Sequence, residues 1–351
     1  MSQLLVTPKM LKAYLQKQGW DWQECGLDYL DTLETVTEQF PLRISTYYAD
    51  IINWMDPHDP LRLIAIPSAQ ETHVAANEVA DPIGDGAREA VPGLIHRYPD
   101  RVLLLLTTQC RMHCRFCFRR SVVGKRREKD EERILQYIAA HPKIEEVIFS
   151  GGDPLMLAPD TLQALLQRLS AIEHIARIRF HTRIPVIDPD YVTQDLLRLI
   201  SSTVKQSIVV LHCDHFRELT LPLKKVIKRL QKCGVLVLSQ TVLLKGVNAS
   251  VSDLRALFAG LLSCGVKPYY LHHLDQARGT THFRISIAQG LRVYDELKRT
   301  TSPICLPNYV LDLPGGYGKV LVTSLQKIDT GSYEASTFRG ETIVYRDPAV
   351  N

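Results

Sequence analysis

Three cysteines in one short segment are the residues with the clearest chemistry. Cys110, Cys114 and Cys117 form a C-x3-C-x2-C pattern within C-R-M-H-C-R-F-C. Thiolates are the usual protein ligands of iron–sulfur clusters, so this spacing predicts a [4Fe–4S] cluster with one iron left open for a small molecule. The alternative is a zinc knuckle in which His113 or a distant residue is the fourth ligand. The spacing after an apolar run favours the cluster.

Two glycine-rich segments form the next signals. Residues 312–319 read D-L-P-G-G-Y-G-K, a turn that ends in Lys319. A lysine delivered into a site in this way can form a Schiff base with pyridoxal phosphate, although a surface turn with a solvated lysine has the same pattern. The segment S-G-G-D-P contains Gly151 and Gly152, which let the backbone approach a ligand closely.

Charged residues stand close to these segments. Arg97 and Arg101 could pair with a phosphate, whose geometry suits guanidinium groups, or form surface salt bridges. Asp275 and Asp312 could bracket a cationic group of a substrate, since a buried carboxylate needs a partner. A basic run covers residues 111–129, for which a solvated face is the first interpretation and an anion site the second.

Short β-branched runs alternate with amphipathic stretches from about residue 101 onward. This alternation predicts an α/β fold with parallel strands and right-handed crossovers, a partial (β/α)6 TIM-like barrel. The predicted strands are 102–107, 146–150, 177–182, 207–212, 235–243 and 269–274. The predicted helices are 128–140, 160–171, 190–201, 219–232, 251–264 and 286–300. The cysteine segment follows the first strand, so we expect it at the carboxyl end of the barrel, where such folds place active sites.

The chain divides into three predicted parts. Residues 1–95 form a mostly helical N-terminal region, residues 96–320 the barrel with its sites, and residues 321–351 a C-terminal tail. The charge balance of 42 basic and 38 acidic residues is too even to argue by itself for nucleic acid or membrane as a partner. No apolar stretch has the length of a membrane span, and the start of the chain has no secretory signal. The remaining cysteines are scattered, so we expect a reducing, cytoplasmic setting.

Five motifs occur in order along the chain. They are C-x3-C-x2-C, S-G-G-D-P, R-F-H-T-R at 179–183, Q-T-V-L-L-K-G-V-N at 240–248, and P-G-G-Y-G-K. Together they resemble the lysine 2,3-aminomutase family of radical S-adenosylmethionine enzymes, over residues 90–320. Within this family, the short length and the N-terminal region are most similar to the branch that makes β-lysine for elongation factor P.

The resemblance implies a role for each matching residue. Cys110, Cys114 and Cys117 would ligate the cluster, whose open iron binds S-adenosylmethionine. The expected cofactor-binding residues are Gly151, Gly152, Asp153 and Arg183, and, for pyridoxal 5′-phosphate, Lys319, Arg97 and Arg101. The expected substrate-binding residues are Arg119 for the carboxylate, and Asp275 and Asp312 for the lysine ε-ammonium.

The implied reaction converts L-lysine to β-lysine through a 5′-deoxyadenosyl radical and a pyridoxal phosphate-assisted 1,2-amino shift, which makes the protein an isomerase. It needs a one-electron reductant and implies a functional link to elongation factor P and its lysyl-transferring enzyme. A homo-oligomer stays open, and direct contact with nucleic acid or membrane is not expected. Arginine is an alternative substrate, and a non-enzymatic metal-binding RNA module is an alternative of another class.

Two sets of residues have no assigned chemistry. Tyr317 stands where the family's usual turn has a glycine. His272, His273 and His282 lack metal-ligand spacing. We expect them to be structural or to contact the residues that form the site.

Overall fold

A ten-stranded sheet forms the centre of the molecule in the computed structural model, which describes residues 2–347 and all their side chains except those of residues 34 and 35. The strands are β1 Leu4–Leu5, β2 Ile44–Ser45, β3 Glu89–Val91, β4 Leu94–Tyr98, β5 Arg101–Leu104, β6 Glu146–Phe149, β7 Arg177–Thr182, β8 Gln206–His212, β9 Leu236–Val242, β10 Lys267–His272, β11 Asn308–Leu313, β12 Gly318–Leu321, β13 Gln326–Asp329, β14 Ser332–Ser336 and β15 Thr342–Arg346. The helices are α1 Pro8–Lys17, α2 Glu34–Gln39, α3 Thr46–Asp50, α4 Pro60–Ala65, α5 Glu131–Ala140, α6 Pro159–Ser170, α7 Ile184–Ile187, α8 Gln194–Ser201, α9 Leu221–Lys232, α10 Val251–Ser263 and α11 Ile287–Thr300.

The central sheet runs in the order β3 to β12, and all pairs from β5 to β11 are parallel. β3, β4 and β12 are antiparallel additions at the two ends. The sheet keeps two edges and does not close, so the predicted partial barrel of parallel strands is confirmed. Six parallel strands, β5 to β10, are each followed by a helix, as predicted. β11 adds a seventh parallel strand beside β10 that the sequence analysis did not predict. It contains an aspartate, a residue type depleted in strands.

The outer helices bury one face each against the sheet. In α9 the buried residues are Leu223, Val226, Ile227 and Leu230, spaced so that they share one side of the helix. The helix begins where the hydroxyl of Thr220 accepts the backbone N–H of Leu223. Threonine or serine side chains cap three further helices of the barrel in the same way: Thr193 in α8, Ser250 in α10 and Ser286 in α11.

Smaller elements surround this barrel. α1 to α4 and the β1–β2 pair precede it, and β13 to β15 form a three-stranded antiparallel sheet after it. One continuous group of buried hydrophobic residues runs from Leu5 to Tyr345. The domain boundaries stay predictions. Among residues 2–347, no helix combines the length and the apolar character needed to cross a bilayer.

Candidate active site

One cavity of about 250 Å³ is lined by residues of every strand from β4 to β12. All thirteen residues predicted to form the site lie in its wall: Arg97, Arg101, Cys110, Cys114, Cys117, Arg119, Gly151, Gly152, Asp153, Arg183, Asp275, Asp312 and Lys319. The roles assigned to them stay predictions. Their convergence means that a cysteine-bound group, the lysine and the two aspartates would face a common space.

The three cysteines lie in a segment without regular secondary structure. They are free thiols, and burial raises the pKa of all three, that of Cys114 to about 12. Buried thiols of this kind stay protonated when alone, whereas a coordinated metal deprotonates them. The donor set therefore fits a group that brings its own positive charge, as an iron–sulfur cluster does.

His113, the fourth ligand of the zinc alternative, is packed against the N-terminal region. Its ring stacks on Phe40 with 4.9 Å between centroids, and its Nδ1 lies 2.9 Å from the carbonyl oxygen of Pro41. Burial lowers the pKa of His113 to about 4. In the part of the chain that the structure describes, no three His, Cys, Asp or Glu side chains converge as ligands of a single ion.

The Gly151–Gly152 turn packs directly against the backbone of the segment that leads to Cys110. The N–H of Gly152 donates to the Thr107 carbonyl over 2.7 Å. A Cβ atom at Gly151 would lie 2.4 Å from the Thr107 oxygen, and one at Gly152 would lie 2.3 Å from the Gln109 oxygen. The close approach that the glycines permit is therefore already made by the chain itself. The two glycines fix where the cysteine segment begins.

The carboxylate of Asp153 links this turn to the end of β7. It accepts hydrogen bonds from the Thr182 hydroxyl at 2.7 Å and from the Arg183 N–H at 2.8 Å. The side chain is buried, and burial raises the pKa of Asp153. Because these bonds already occupy the Asp153 carboxylate, a cofactor would contact the backbone of this turn rather than the Asp153 side chain.

Buried arginines hold the cysteine segment. The guanidinium of Arg115 has 0% exposure and donates to Glu71 at 2.9 and 2.6 Å, and to the Phe40 carbonyl at 3.0 Å. Arg120 pairs with the same carboxylate, and Arg111 pairs with Asp188. The prediction of a solvated basic face is wrong for these arginines, because they alternate with the cysteines and reach into the protein. Lys125, Arg126 and Lys129 of the same run are exposed, so the RNA-module alternative keeps only part of its basic surface.

Arg183 occupies a buried position behind Cys114. Its guanidinium pairs with Asp214 and, at 2.6 Å, with Glu218. The last residue of the 240–248 motif, Asn248, donates to the Asp214 carbonyl at 2.7 Å. This group joins the ends of β7, β8 and β9 beneath the cavity. Sequence reasoning missed Asp214 and Glu218, which belong to no motif.

Lys319 and Asp312 face each other across an antiparallel pair. They are register partners of β12 and β11, and the Lys319 Nζ lies 2.9 Å from Asp312 Oδ1. Burial disfavours the ammonium, but Asp312 outweighs burial and raises the pKa of Lys319. Burial likewise disfavours the Asp312 carboxylate, yet Lys319 and His272 hold the pKa of Asp312 below its usual range. Lys319, whose side chain is 29% exposed, is therefore held as an ammonium by its ion pair with Asp312.

The glycine turn explains why a tyrosine is tolerated in it. Gly315, Gly316 and Gly318 have φ values of 78°, 81° and 92°, a region that favours glycine. Tyr317 has a φ of −73°. A side chain at this position therefore costs no backbone strain.

Arg97 and Arg101 are held differently. Arg97 is buried and donates to the Ile83 carbonyl at 2.9 Å and to Asp85 at 3.0 Å. The guanidinium of Arg101 lies 3.8 Å from the centroid of the Tyr98 ring. The hydroxyl of Tyr98 accepts the backbone N–H of Lys319 over 2.7 Å. Arg101 is therefore linked to Lys319 through Tyr98. Arg97 is linked to Lys319 through Asp312.

Asp85 is a site residue that sequence reasoning missed. It accepts from Arg119 Nε at 3.1 Å and Nη2 at 2.8 Å, in addition to its bond with Arg97. It lies in a D-P-I-G-D-G segment that looks like an ordinary turn. Arg97 also lies 3.8 Å from Asp312. Positive and negative groups therefore alternate from Arg119 to Lys319.

Asp275 is half-buried and is the carboxylate with the most perturbed charge. Burial and the neighbouring Asp312 raise the pKa of Asp275 to about 8. The carboxyl group is therefore largely protonated at neutral pH unless a cation approaches it.

The histidines are divided between the site and the core. His272 Nδ1 lies 3.6 Å from Asp312 Oδ2 in the cavity wall. His273 bonds to the Tyr309 hydroxyl at 2.8 Å, and burial lowers the pKa of His273 to about 3. His282 packs on Phe283 at 4.1 Å between ring centroids.

Comparisons with known proteins agree with the motifs. A family model described as "Radical SAM superfamily" matches residues 104–257. The chain is 39% identical over 312 residues to "Putative L-lysine 2,3-aminomutase" of Aquifex aeolicus, covering 87% of this chain and 84% of that protein. It is 33% identical over 362 residues to "L-lysine 2,3-aminomutase" of Acetoanaerobium sticklandii, covering 96% and 87%. It is 34% identical over 354 residues to "L-lysine 2,3-aminomutase" of Clostridium subterminale, covering 94% and 84%.

Replacing Glu71 with glutamine tests the brace on the cysteine segment. The change leaves Arg115 and Arg120 as buried cations without their carboxylate, which we expect to cost about 3–5 kcal/mol of unfolding free energy. Denaturant unfolding measures this loss, and iron bound per chain after anaerobic reconstitution measures its effect on the cysteines.

The matched control is Glu132→Gln, which removes an exposed carboxylate paired with Arg168. We expect it to leave both stability and iron content nearly unchanged. Equal behaviour of the two variants would contradict the assignment of Glu71 as a brace.

Proposed function

The chain belongs to the lysine 2,3-aminomutase family of radical S-adenosylmethionine enzymes, and we propose that it converts L-lysine to β-lysine. Membership of the radical S-adenosylmethionine family implies a [4Fe–4S] cluster and S-adenosylmethionine. The observation that carries the proposal is the single cavity, whose wall contains the three cysteines, Lys319 and two aspartates of unlike ionisation.

The residues that would hold the cofactors are cysteines, one lysine and arginines in the wall of the cavity. When bound, the cluster and S-adenosylmethionine supply a carbon-centred radical, and pyridoxal 5′-phosphate carries the migrating nitrogen. Cys110, Cys114 and Cys117 would hold three irons. Lys319 would hold pyridoxal 5′-phosphate, with Arg97 and Arg101 available to its phosphate.

Asp312 has a different partner before and after cofactor binding. In this structure it neutralises the Lys319 ammonium. Covalent attachment of Lys319 to an aldehyde would make its nitrogen a weaker base and so weaken its pairing with Asp312. Asp312 would then be a buried carboxylate in need of a cation, and the ε-ammonium of lysine supplies one.

Charge also selects the substrate. Arg119 suits the substrate carboxylate, and Asp275 and Asp312 suit a cationic side chain at the other end. A glutamate side chain would be repelled by the ionised Asp312 carboxylate and would bring no cation to Asp275. Arginine carries the same charge as lysine, so the first experiment includes it as a competing substrate.

We also propose that the β-lysine serves elongation factor P in the cytoplasm. This rests on the resemblance of the N-terminal region to the elongation factor P branch of the family. A strain lacking this gene should make elongation factor P without the β-lysyl mass. The wild-type gene should restore that mass, and the Lys319→Ala gene should not. Unchanged elongation factor P in the deletion strain would contradict the link.

An anaerobic assay tests the reaction. Reconstituted protein receives S-adenosylmethionine, pyridoxal 5′-phosphate, a one-electron reductant and either L-lysine or L-arginine. Wild type should form β-lysine, and Lys319→Ala and Cys114→Ala should not. Lys327→Ala, on the exposed strand β13, is the matched control and should keep full activity. Conversion of arginine alone would replace the substrate assignment.

The pKa of Asp275 predicts a pH dependence of substrate affinity. Below about pH 8 this carboxyl carries a proton that must leave before it can pair with an ammonium. The KM for lysine should therefore fall as the pH rises toward 8, by at most about tenfold per pH unit, and then level off.

Steady-state kinetics across this pH range measure the effect. Asp275→Asn should raise the KM and make it nearly independent of pH, whereas Asp195→Asn, an exposed control in α8, should follow wild type. A wild-type KM that is constant with pH would contradict the role of Asp275.

Asp312→Asn should separate cofactor attachment from substrate binding. Only a neutral amine attacks an aldehyde, and Asp312 raises the pKa of Lys319. Without this carboxylate, the pH midpoint for covalent attachment of pyridoxal 5′-phosphate should move down, while lysine turnover is lost. Borohydride reduction followed by mass analysis of the Lys319 peptide measures attachment. An unchanged midpoint would show that Asp312 does not control the lysine.

A further inference from the structure

A single carboxylate lies between the two arginines that the proposed function assigns to different ligands. Asp85 accepts from Arg97 with Oδ1 at 3.0 Å and from Arg119 with Oδ2 at 2.8 and 3.1 Å. We propose that Asp85 is a positioning residue that fixes Arg97 and Arg119 relative to each other. It thereby couples the phosphate end of the site to the substrate-carboxylate end. The inference rests on the proposed function of these arginines.

Asp85 is itself held by its own segment. The carboxylate of Asp81 accepts the N–H groups of Asp85 and Gly86, each at 2.9 Å. A Cβ atom on Gly84 would lie 2.4 Å from the backbone nitrogen of Gly316, in the turn that precedes Lys319. Arg88 donates to the carbonyl of Gly316 at 3.1 Å. The segment that carries the Asp85 carboxylate is therefore held by Asp81 within it and by contacts with the turn that precedes Lys319.

The contacts of Arg119 fix the orientation of its guanidinium. Nε and Nη2 share one oxygen of Asp85, and Nη1 donates to the Ser150 hydroxyl at 3.1 Å. Ser150 begins the S-G-G-D-P turn that carries the cysteine segment. Arg119 is thus tied to the cysteine side of the site and, through Asp85, to Arg97.

Charge balance makes this arrangement depend on Asp85. Burial opposes its ionisation, but Arg119 and Arg97 outweigh burial and lower the pKa of Asp85. Without the carboxylate, two buried guanidinium groups would repel each other. Arg97 already lies 3.8 Å from Asp312 and could shift toward it.

Arg119 would have a different space to enter. Asp85, Phe118 and Arg119 line both the main cavity and a neighbouring cavity of about 470 Å³. The Asp85–Arg119 pair is therefore part of the wall between the two spaces. Loss of Asp85 would free Arg119 to turn away from the position where it meets a substrate carboxylate.

The opposite role for Asp85 gives the opposite result. If Asp85 only paired with Arg119 until the substrate carboxylate displaced it, removal of Asp85 would free the arginine and lower the KM for lysine. A positioning role instead raises the KM and weakens pyridoxal 5′-phosphate binding in the same variant.

The test uses Asp85→Asn in the full chain, reconstituted anaerobically, with Asp195→Asn, an exposed aspartate of α8, as the control. We expect Asp85→Asn to raise the KM for lysine and the dissociation constant of pyridoxal 5′-phosphate by about tenfold or more each, with a smaller change in kcat. Asp195→Asn should change both constants by less than about threefold, because it touches neither Asp85 nor the two arginines. Fluorescence titration with pyridoxal 5′-phosphate, without lysine, measures the second constant.

Asp85→Glu keeps the negative charge and guards against a folding defect. It should recover part of the pyridoxal 5′-phosphate affinity lost in Asp85→Asn, and its thermal unfolding midpoint should lie closer to that of wild type. An unchanged or lowered KM in Asp85→Asn, or equal effects of the Asp85 and Asp195 changes, would overturn the proposal. If wild type forms no β-lysine, the proposed function fails, and the cofactor titration alone decides the role of Asp85.

Discussion

The rest of the site depends on the buried ion pair between Arg115 and Glu71. The cysteine segment between β5 and α5 has no helix or strand to position it, so side chains must do so. Arg115 satisfies its donors with Glu71 and with backbone carbonyls of the N-terminal region. A buried ion pair adds little net stability, but losing one partner is costly, which favours a single arrangement of the segment. The N-terminal region is thereby part of the site.

A series of ion pairs lines another part of the cavity wall. From Arg119 through Asp85, Arg97 and Asp312 to Lys319, each group neighbours one of opposite sign. A ligand that brings a phosphate, a carboxylate and an ammonium would have to redistribute these pairs. Asp275 stands outside this series and stays largely protonated until a cation reaches it. Binding of a cationic substrate is therefore tied to proton release.

Local patterns in the sequence predicted the barrel, the three cysteines, Lys319 and the Gly151–Gly152 turn, because cysteine spacing, glycine turns and strand–helix alternation are short-range signals. Arg119, Arg183 and the role of Asp153 came only from the resemblance to the family. The partners Glu71, Asp85, Asp214 and Glu218 were missed, since ion pairs between distant segments leave no periodic trace. The solvated basic face was predicted wrongly for the same reason, because the carboxylates that pair with its buried arginines lie far away in the sequence. β11 was missed because its aspartate made a buried strand resemble part of the following turn.

The central claim is that the cysteines and the lysine-binding residues act on one substrate within one cavity. The direct measurement supplies L-lysine deuterated at its β-carbon to the reconstituted protein and follows the label by mass spectrometry. The account predicts deuterium in 5′-deoxyadenosine and in the β-lysine product. Cleavage of S-adenosylmethionine with no deuterium in 5′-deoxyadenosine would contradict it.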